Sequence, residues 1–312
     1  MFRSQQKTRL ALALCISAAV AACAAPPPAA APASQPAAPA PTKPFVISAI
    51  PDQDPEKLNR LYGKLAEYLK AELGVEVVYK PVTDYTAVVN AFKTGDVDMA
   101  WFGGLTGVQA RLQVDGAQAI IQRDIDERFR SVFIANVATG IQPFEDISGL
   151  MALKGRTFTF GSESSTSGRL MPQFFMRQAG LSLSDLKGEP GFSGSHDKTI
   201  KLVEAGSYEA GALNAQVWEA RVNGGEVDTS KVIVIWRTPP YYDYHWIVRP
   251  DVEQNFGAGF IGRVKQAFLA LDQANPTHKE ILDLFGAQKF IETKNENYAD
   301  IEAIGREIGK IK

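Results

Sequence analysis

From residue 45 onward, short apolar strands alternate with amphipathic helices, and this alternation constrains the fold more than any other feature. Residues 45–50 have the pattern of a buried strand, and a helix is predicted over 55–73 because its leucines share one face and Gly74 can end it. The pattern continues with strands over 75–79 and 97–102 and with helices that begin near 84 and 105. A β-α-β-α-β-α order predicts an α/β fold with a mostly parallel sheet and helices on both faces.

The same alternation restarts after Asn136. Strands are predicted over 157–160, 210–213 and 232–236, helices over 168–178, 199–205 and 217–222, and a largely helical end includes 261–271 and 298–308. We therefore expect two lobes, one from residues 45–136 plus 240–312 and one from residues 137–239. Two crossover segments near 136–140 and 236–241 would join them. A cleft between two such lobes is a common ligand site.

The first 44 residues have the composition of an export signal followed by a tether. Arg3, Lys7 and Arg9 precede an apolar stretch over 10–20, which predicts a signal peptide of residues 1–22. Val20-Ala21-Ala22-Cys23 resembles a bacterial lipobox, which would make Cys23 a lipidated N-terminus; the alternative is an ordinary secretory signal cut elsewhere. Of residues 24–41, 16 of 18 are Ala or Pro. Residues 23–44 are therefore expected to form an extended tether that connects the folded body to a membrane facing the periplasm.

Composition excludes several classes of protein. With 45% hydrophobic residues, 22% charged residues and a net charge of −2, the chain is neither a polytopic membrane protein nor a basic nucleic-acid binder. Cys15 would leave with the signal and Cys23 would carry lipid, so the folded body has no thiol for a disulfide or a metal. No cofactor and no metal site is predicted, and a monomer is expected. Loss of residues 1–22 would change the net charge to −5, so an anionic ligand would need a local positive field.

Five short segments together resemble one family. They are Ile50-Pro51-Asp52, Val82-Thr83-Asp84-Tyr85, the run 98–104 (DMAWFGG), the run 161–168 (GSESSTSG) and the run 192–197 (FSGSHD). In this order and spacing they are similar to the periplasmic solute-binding proteins of phosphate, phosphite and phosphonate ABC transporters, over essentially all of residues 45–312. Within that family the chain resembles most a subgroup named for selenate binding. The resemblance implies a two-lobed periplasmic binding protein fold of type II, a small oxyanion ligand, an ABC transporter permease as partner and no enzymatic activity.

The main candidate site is the hydroxyl run Ser165-Thr166-Ser167. It lies between a predicted strand and a predicted helix, where free N–H groups and the helix dipole favour an anion; the alternative is a plain N-cap. The resemblance implies that this run holds the oxyanion. It also implies ligand contacts for Tyr85, His196 and Asp243, which by default would be a helix-start aromatic, a structural histidine and a solvated loop acid.

Two departures from the family pattern bear on which anion is bound. Asn214 stands where an acid is common, and Phe129 stands where Tyr is frequent. Asn214 can donate and is uncharged, which favours a fully deprotonated anion such as selenate or sulfate. Asp243 remains a possible acceptor, so phosphite and simple phosphonates stay open. If Asp243 faces the anion, we expect phosphite or a phosphonate; if it points away or pairs with a cation, we expect selenate or sulfate.

Arg130 and Arg169 lie beside the hydroxyl run in sequence. Either could balance a dianion, although a surface arginine is the default interpretation of each.

Other functions are weakly supported by motifs. Ser165, His196 and Asp243 could be drawn as a hydrolase triad, but the sequence has no Gly-x-Ser-x-Gly elbow. Ser195 and Lys198 fit Ser-x-x-Lys without its companion motifs, and there is no phosphate-binding Walker A loop. A tethered sensor subunit with the same fold remains an alternative.

Overall fold

The computed structural model describes residues 43–312, so the predicted signal peptide, Cys23 and the Ala/Pro-rich run lie outside the described residues. The helices are α1 Pro55–Leu73, α2 Tyr85–Thr94, α3 Gly104–Arg111, α4 Met171–Gln178, α5 His196–Glu204, α6 Ala215–Asn223, α7 Val252–Phe256, α8 Phe260–Leu269, α9 Pro276–Phe285 and α10 Ala299–Glu307. Within residues 43–312, no helix is both long enough and apolar enough to span a membrane.

The strands form two sheets. They are β1 Phe45–Ala49, β2 Val77–Tyr79, β3 Met99–Phe102, β4 Gln118–Arg123, β5 Ser131–Asn136, β6 Phe158–Phe160, β7 Gly191–Phe192, β8 Ala210–Asn214, β9 Val232–Arg237, β10 His245–Val248 and β11 Phe290–Glu292. The first sheet has the order β11-β4-β10-β3-β1-β2, and the second has the order β7-β6-β8-β5-β9. We call the first sheet with α1–α3 and α7–α10 the first lobe, and the second sheet with α4–α6 the second lobe.

The expected α/β fold with two crossovers is confirmed, but the sheets are more mixed than the alternation suggests. Strands β2, β1 and β3 are parallel, as are β7, β6 and β8. Strands β10 and β5 run against both of their neighbours. Each of these two strands directly follows a crossover, lies between two other strands of its sheet and is antiparallel to both of them.

Sheet membership differs from the sequence expectation at the first crossover. The sequence predicts residues 131–136 in the first lobe, but β5 pairs with β8 and β9 inside the second sheet. The crossovers therefore comprise residues 124–130 and 238–244. The physical reason is that an apolar strand pairs with partners distant in sequence, and its own pattern does not specify which sheet it joins. Likewise, β10 and β11 lie in the C-terminal third that was expected to be helical.

Capping residues determine the ends of α1 and α2, which lie close to the candidate site. Asp54 caps α1 by accepting from the N–H groups of Glu56 and Lys57, and Gly74 ends it with φ of 67°. Asp84 caps α2 in the same way, just before Tyr85. These ends match the predicted bounds closely because a cap and its helix are neighbours in sequence.

The two crossovers lie side by side. Phe129 and Tyr241 exchange two backbone hydrogen bonds of 2.9 Å, and the Asp243 N–H donates to the Asp126 carbonyl at 3.0 Å. At the start of the first crossover, the Arg123 guanidinium donates to both carboxylate oxygens of Asp126, at 2.7 and 2.6 Å, with both side chains buried. This ion pair fixes the point where the chain leaves the first sheet.

We predict that Asp126→Ala lowers the free energy of unfolding by about 3–5 kcal/mol, because it leaves a buried guanidinium without its partner. Urea unfolding followed by circular dichroism measures this loss. Glu127→Ala, at the exposed neighbouring position of the same turn, is the control and should change stability by less than about 0.5 kcal/mol. A loss below about 1 kcal/mol for Asp126→Ala would contradict the importance of the pair.

Candidate functional site

The hydroxyl run begins after β6 and leads through a π-turn, Thr166–Leu170, into α4. Its three hydroxyls have different partners. The Ser165 Oγ accepts from the Gly168 N–H at 2.9 Å, which is the N-cap that the alternative interpretation expects. The Thr166 Oγ1 accepts from the Leu105 N–H of the first lobe at 2.9 Å. The Ser167 Oγ is buried and has no hydrogen-bond partner among the described residues.

Asp243 lies in the second crossover with its carboxylate fully buried. Its Oδ1 accepts from the Gly104 N–H at 2.8 Å, and its Oδ2 has no partner within residues 43–312. Burial raises the pKa of Asp243 to about 7, while the Gly104 N–H and the Thr166 hydroxyl beside it act in the opposite direction. The carboxylate therefore lies next to the hydroxyl run and carries an unused oxygen.

Gly103 makes this approach possible. A Cβ at this position would lie 2.9 Å from the Thr166 Oγ1 and 3.2 Å from the Asp243 Oδ1. The absence of a side chain thus lets an alcohol from the second lobe and a carboxylate from the crossover both reach the first turn of α3.

Tyr85 contributes a third unused polar atom. Its side chain is 2% exposed, and its hydroxyl has no partner among the described residues. Burial and the charge of Asp52 raise its pKa well above the ordinary value, the Ser165 hydroxyl beside it lowers the pKa, and Asp243 raises it. Tyr85, the hydroxyl run and Asp243 are therefore neighbours. Buried polar atoms are almost always hydrogen-bonded, so three unpartnered ones in one place are suited to a polar ligand.

His196 and Asn214 meet at a residue that the sequence analysis did not single out, Tyr244. The Asn214 N–H donates to the His196 Nδ1 at 3.4 Å, which leaves the proton on Nε2, 3.2 Å from the Tyr244 hydroxyl. The Asn214 Nδ2 donates to the same hydroxyl at 3.1 Å, and that hydroxyl donates to the Asp52 Oδ2 at 2.9 Å. Burial lowers the pKa of His196 to about 4, so the ring is neutral at pH 7.

Asn214 is also the N-cap of α6, because its Oδ1 accepts from the Val217 N–H at 3.1 Å. Its Oδ1 and one of its two Nδ2–H donors are thus used by the protein. This differs from the expectation of an amide whose donors are all free for an anion, and the reason is that the Tyr244 hydroxyl accepts one of them.

Two charged side chains, Asp52 and Arg169, are buried, which the sequence does not predict. Asp52 follows β1 and has its pKa raised to about 6, mainly by burial. Arg169 is 5% exposed, its guanidinium carbon lies 4.3 Å from the centre of the Phe160 ring, and its Nε and Nη1 have no partner within the described part of the chain. The default surface interpretation is therefore wrong for Arg169, whereas Arg130 is exposed and donates to the Thr238 carbonyl. Their positions directly after a strand or a serine run were the available signals.

The groups drawn as a hydrolase triad are not joined. Ser165 bonds to Gly168 and His196 bonds to Tyr244, while Ser195 caps α5 through the Lys198 N–H.

Phe129 packs edge-on against Tyr244, with ring centres 5.3 Å apart. Among residues 43–312, no group of three or more His, Cys, Asp or Glu is arranged to hold a metal ion.

Comparison with known proteins gives one consistent family. A family model described as "ABC transporter, phosphonate, periplasmic substrate-binding protein" matches residues 47–298. The chain is 47% identical over 271 residues to a protein of Prochlorococcus marinus (strain MIT 9301) named "Probable ABC transporter phosphite binding protein PhnD1", covering 86% of this chain and 91% of that one. It is 26% identical over 213 residues to the "Phosphate-import protein PhnD" of Mycolicibacterium smegmatis, covering 62% of each.

Solved structures with similar folds include binding proteins of the same type. The structure of PhnD1 from Prochlorococcus marinus in complex with methylphosphonate has a TM-score of 0.83 and 47% identity, covering 86% of this chain and 98% of that one. A binding protein component of an ABC phosphonate transporter from Pseudomonas aeruginosa has a TM-score of 0.71 at 19% identity, covering 83% and 84%, and shows the fold alone.

We predict that Asp243→Asn makes the ligand-free protein more stable than wild type at pH 8, with the difference shrinking toward pH 5. A carboxyl whose folded pKa is raised contributes stability below its unfolded pKa and loses it as the pH rises through the folded pKa, here from about 4 to about 7. The change in the difference between pH 5 and pH 8 should be on the order of 1–3 kcal/mol in urea unfolding.

Asp96→Asn, at an exposed position before β3, is the control for that series and should show no such pH-dependent difference. If the pH–stability curves of Asp243→Asn and wild type run parallel, the pKa of Asp243 is not raised in the folded protein, and the prediction is wrong.

Proposed function

Since the chain belongs to the family of phosphonate-binding periplasmic substrate-binding proteins of ABC transporters, we propose that it captures phosphite or a small phosphonate and delivers it to a membrane permease. The ligand would lie between the lobes against Tyr85, the hydroxyl run and Asp243. Members of this family bind solutes and are not enzymes.

The observation that carries the proposal is the unpartnered Oδ2 of Asp243. A buried carboxylate repels a fully deprotonated oxygen but accepts a hydrogen bond from a P–OH group. Equivalently, a protonated Asp243 donates to a deprotonated oxygen of the ligand. In both arrangements the carboxyl and the anion share one proton. When Asp243 is ionised, that proton must come from the ligand; a phosphite or phosphonate monoanion carries it, whereas sulfate and selenate do not near neutral pH.

The contacts of Asp243 and Asn214 favour phosphite or a phosphonate, whereas the sequence favoured selenate. That preference rested on the resemblance to a selenate-named subgroup and on Asn214 as a free donor, and Asn214 is bound to Tyr244 and to the start of α6. Asp243 is paired with no cation among residues 43–312, which removes one of the two conditions that would favour selenate or sulfate, and its unpartnered Oδ2 is available to face the anion. The names of the relatives, which refer to phosphite, phosphate and phosphonates, support the same choice.

The remaining contacts suit the other oxygens of such an anion. The Ser167 Oγ and the Tyr85 hydroxyl are the unpartnered donors at the site, and Thr166 is oriented by the Leu105 N–H. Hydroxyl donors with one carboxyl acceptor match an ion that has several bare oxygens and one proton.

Calorimetric titration with phosphite, methylphosphonate, phosphate, sulfate and selenate at pH 7 tests the assignment. We expect phosphite or methylphosphonate to bind at least about 10-fold more tightly than sulfate or selenate, the factor that one hydrogen bond to a charged group provides. In Asp243→Asn this difference should shrink, because an amide does not repel a deprotonated oxygen.

Asp84→Asn is the matched control for that titration. It removes one carboxylate next to Tyr85 at an exposed N-cap and keeps a capping side chain, so it should leave the order of affinities unchanged. Tight selenate binding with no measurable phosphite or phosphonate binding would refute the ligand class and would leave the family unaffected.

We also propose where the protein is located in the cell envelope. A signal peptide of residues 1–22, a lipid on Cys23 and a tether to residue 44 would hold a monomeric binding protein at a membrane facing the periplasm. This rests on the lipobox-like sequence and the Ala/Pro-rich run, which lie outside the described residues, and on the periplasmic family.

We predict that Cys23→Ser moves the protein expressed in a Gram-negative host from the detergent phase to the aqueous phase in Triton X-114 partition, because lipid-derived hydrophobicity is lost. Cys15→Ser lies inside the predicted signal and should partition as wild type does. Detergent partition that is unchanged in Cys23→Ser would refute the lipid anchor.

A further inference from the structure

Ligand exchange requires the two lobes to separate. Tyr85, Ser167 and Asp243 are 2%, 1% and 0% exposed, so an anion cannot reach them while the lobes are in this arrangement. Contacts that cross between the lobes must therefore break for entry and re-form around the ligand. This step rests on the proposed function, in which the ligand binds at these residues.

One crossing contact lies outside the proposed ligand contacts and involves a charge. Asp197, in the first turn of α5, accepts from the Asp54 N–H through its Oδ2 at 2.9 Å. Asp54 is the first-lobe residue that caps α1. Next to it, the His196 N–H donates to the Asp52 carbonyl at 3.0 Å, so the start of α5 is joined to residues 52–54 by two hydrogen bonds.

The Asp197 carboxylate is held from within its own lobe. The Arg221 Nε donates to the Asp197 Oδ1 at 2.6 Å and its Nη2 donates to Oδ2 at 3.2 Å, with the two side chains 13% and 21% exposed. Both residues belong to the second lobe, so this ion pair does not depend on closure. A second ion pair between the lobes joins Lys310 and Glu163 at 2.9 Å, where Glu163 is 66% exposed and has no other ion pair among residues 43–312.

We propose that the hydrogen bond from the Asp54 N–H to the Asp197 carboxylate is a latch that sets the lifetime of the closed, ligand-bound protein, and that Arg221 is the residue that positions this carboxylate. Because Arg221 fixes the carboxylate beforehand, closure places a backbone N–H against an acceptor that is already oriented, and little side-chain freedom is lost. The latch forms only when the lobes meet, so it acts on ligand release and not on the first encounter.

The test compares binding kinetics of phosphite and methylphosphonate for wild type, Asp197→Ala, Asp197→Asn and Arg221→Met by stopped-flow measurements. We expect Asp197→Ala to raise the dissociation rate constant about 10-fold, at the lower end for a hydrogen bond to a charged group. The association rate constant should stay within about twofold. Arg221→Met should give a smaller increase, and the double variant Asp197→Ala/Arg221→Met should be no worse than Asp197→Ala alone.

Glu226→Gln is the matched control. Glu226 also contacts Arg221, at 3.4 Å, but lies only in the second lobe, so its loss should leave both rate constants unchanged. Equal effects of Glu226→Gln and Asp197→Ala would show a general charge effect and overturn the latch. A slower association with unchanged dissociation would also overturn it.

Hydrogen exchange of the peptide that contains the Asp54 amide gives a readout that needs no ligand. This amide should be protected in wild type and in Glu226→Gln and should exchange faster in Asp197→Ala, which removes the acceptor oxygen. If wild type binds neither anion, the proposed function fails while exchange still decides the latch. Equal protection of the amide in all variants would refute the contact itself.

Discussion

The arrangement of the site depends on one short-range constraint, the meeting of Thr166 and Asp243 at the first turn of α3. Their oxygens accept from the Leu105 and Gly104 N–H groups, which have no partner within the helix. One contact set thus joins the second lobe, the second crossover and the first lobe. Glycine at position 103 leaves room for these contacts, because a Cβ there would lie within 3.2 Å of both oxygens.

This constraint creates an unusual electrostatic situation for an anion-binding protein. Two buried carboxyls, Asp52 and Asp243, lie near the site, and burial raises the pKa of each, to about 6 and about 7. The buried guanidinium of Arg123 is already paired with Asp126. If the proposed ligand binds here, the charge balance of the site depends on where one proton resides, and hydroxyl groups rather than a paired cation would face the anion.

Features fixed by neighbours in sequence were predictable, and features fixed by distant partners were not. The bounds of α1 follow from Asp54, Pro55 and Gly74, all of which are local signals. The strand Ser131–Asn136 was misplaced because its pattern is equally suited to either sheet. Tyr85 and Asp243 were suggested by resemblance alone, and no local pattern indicates that Tyr244 takes up the donors of His196 and Asn214.

The paired crossovers have a mechanical consequence. Because Phe129 and Tyr241 exchange hydrogen bonds in both directions, the two connecting segments cannot slide past one another without breaking that bridge. The two segments are therefore expected to bend together when the lobes move, so that contacts between the lobes such as Asp54–Asp197 and Glu163–Lys310 break and form in the same motion.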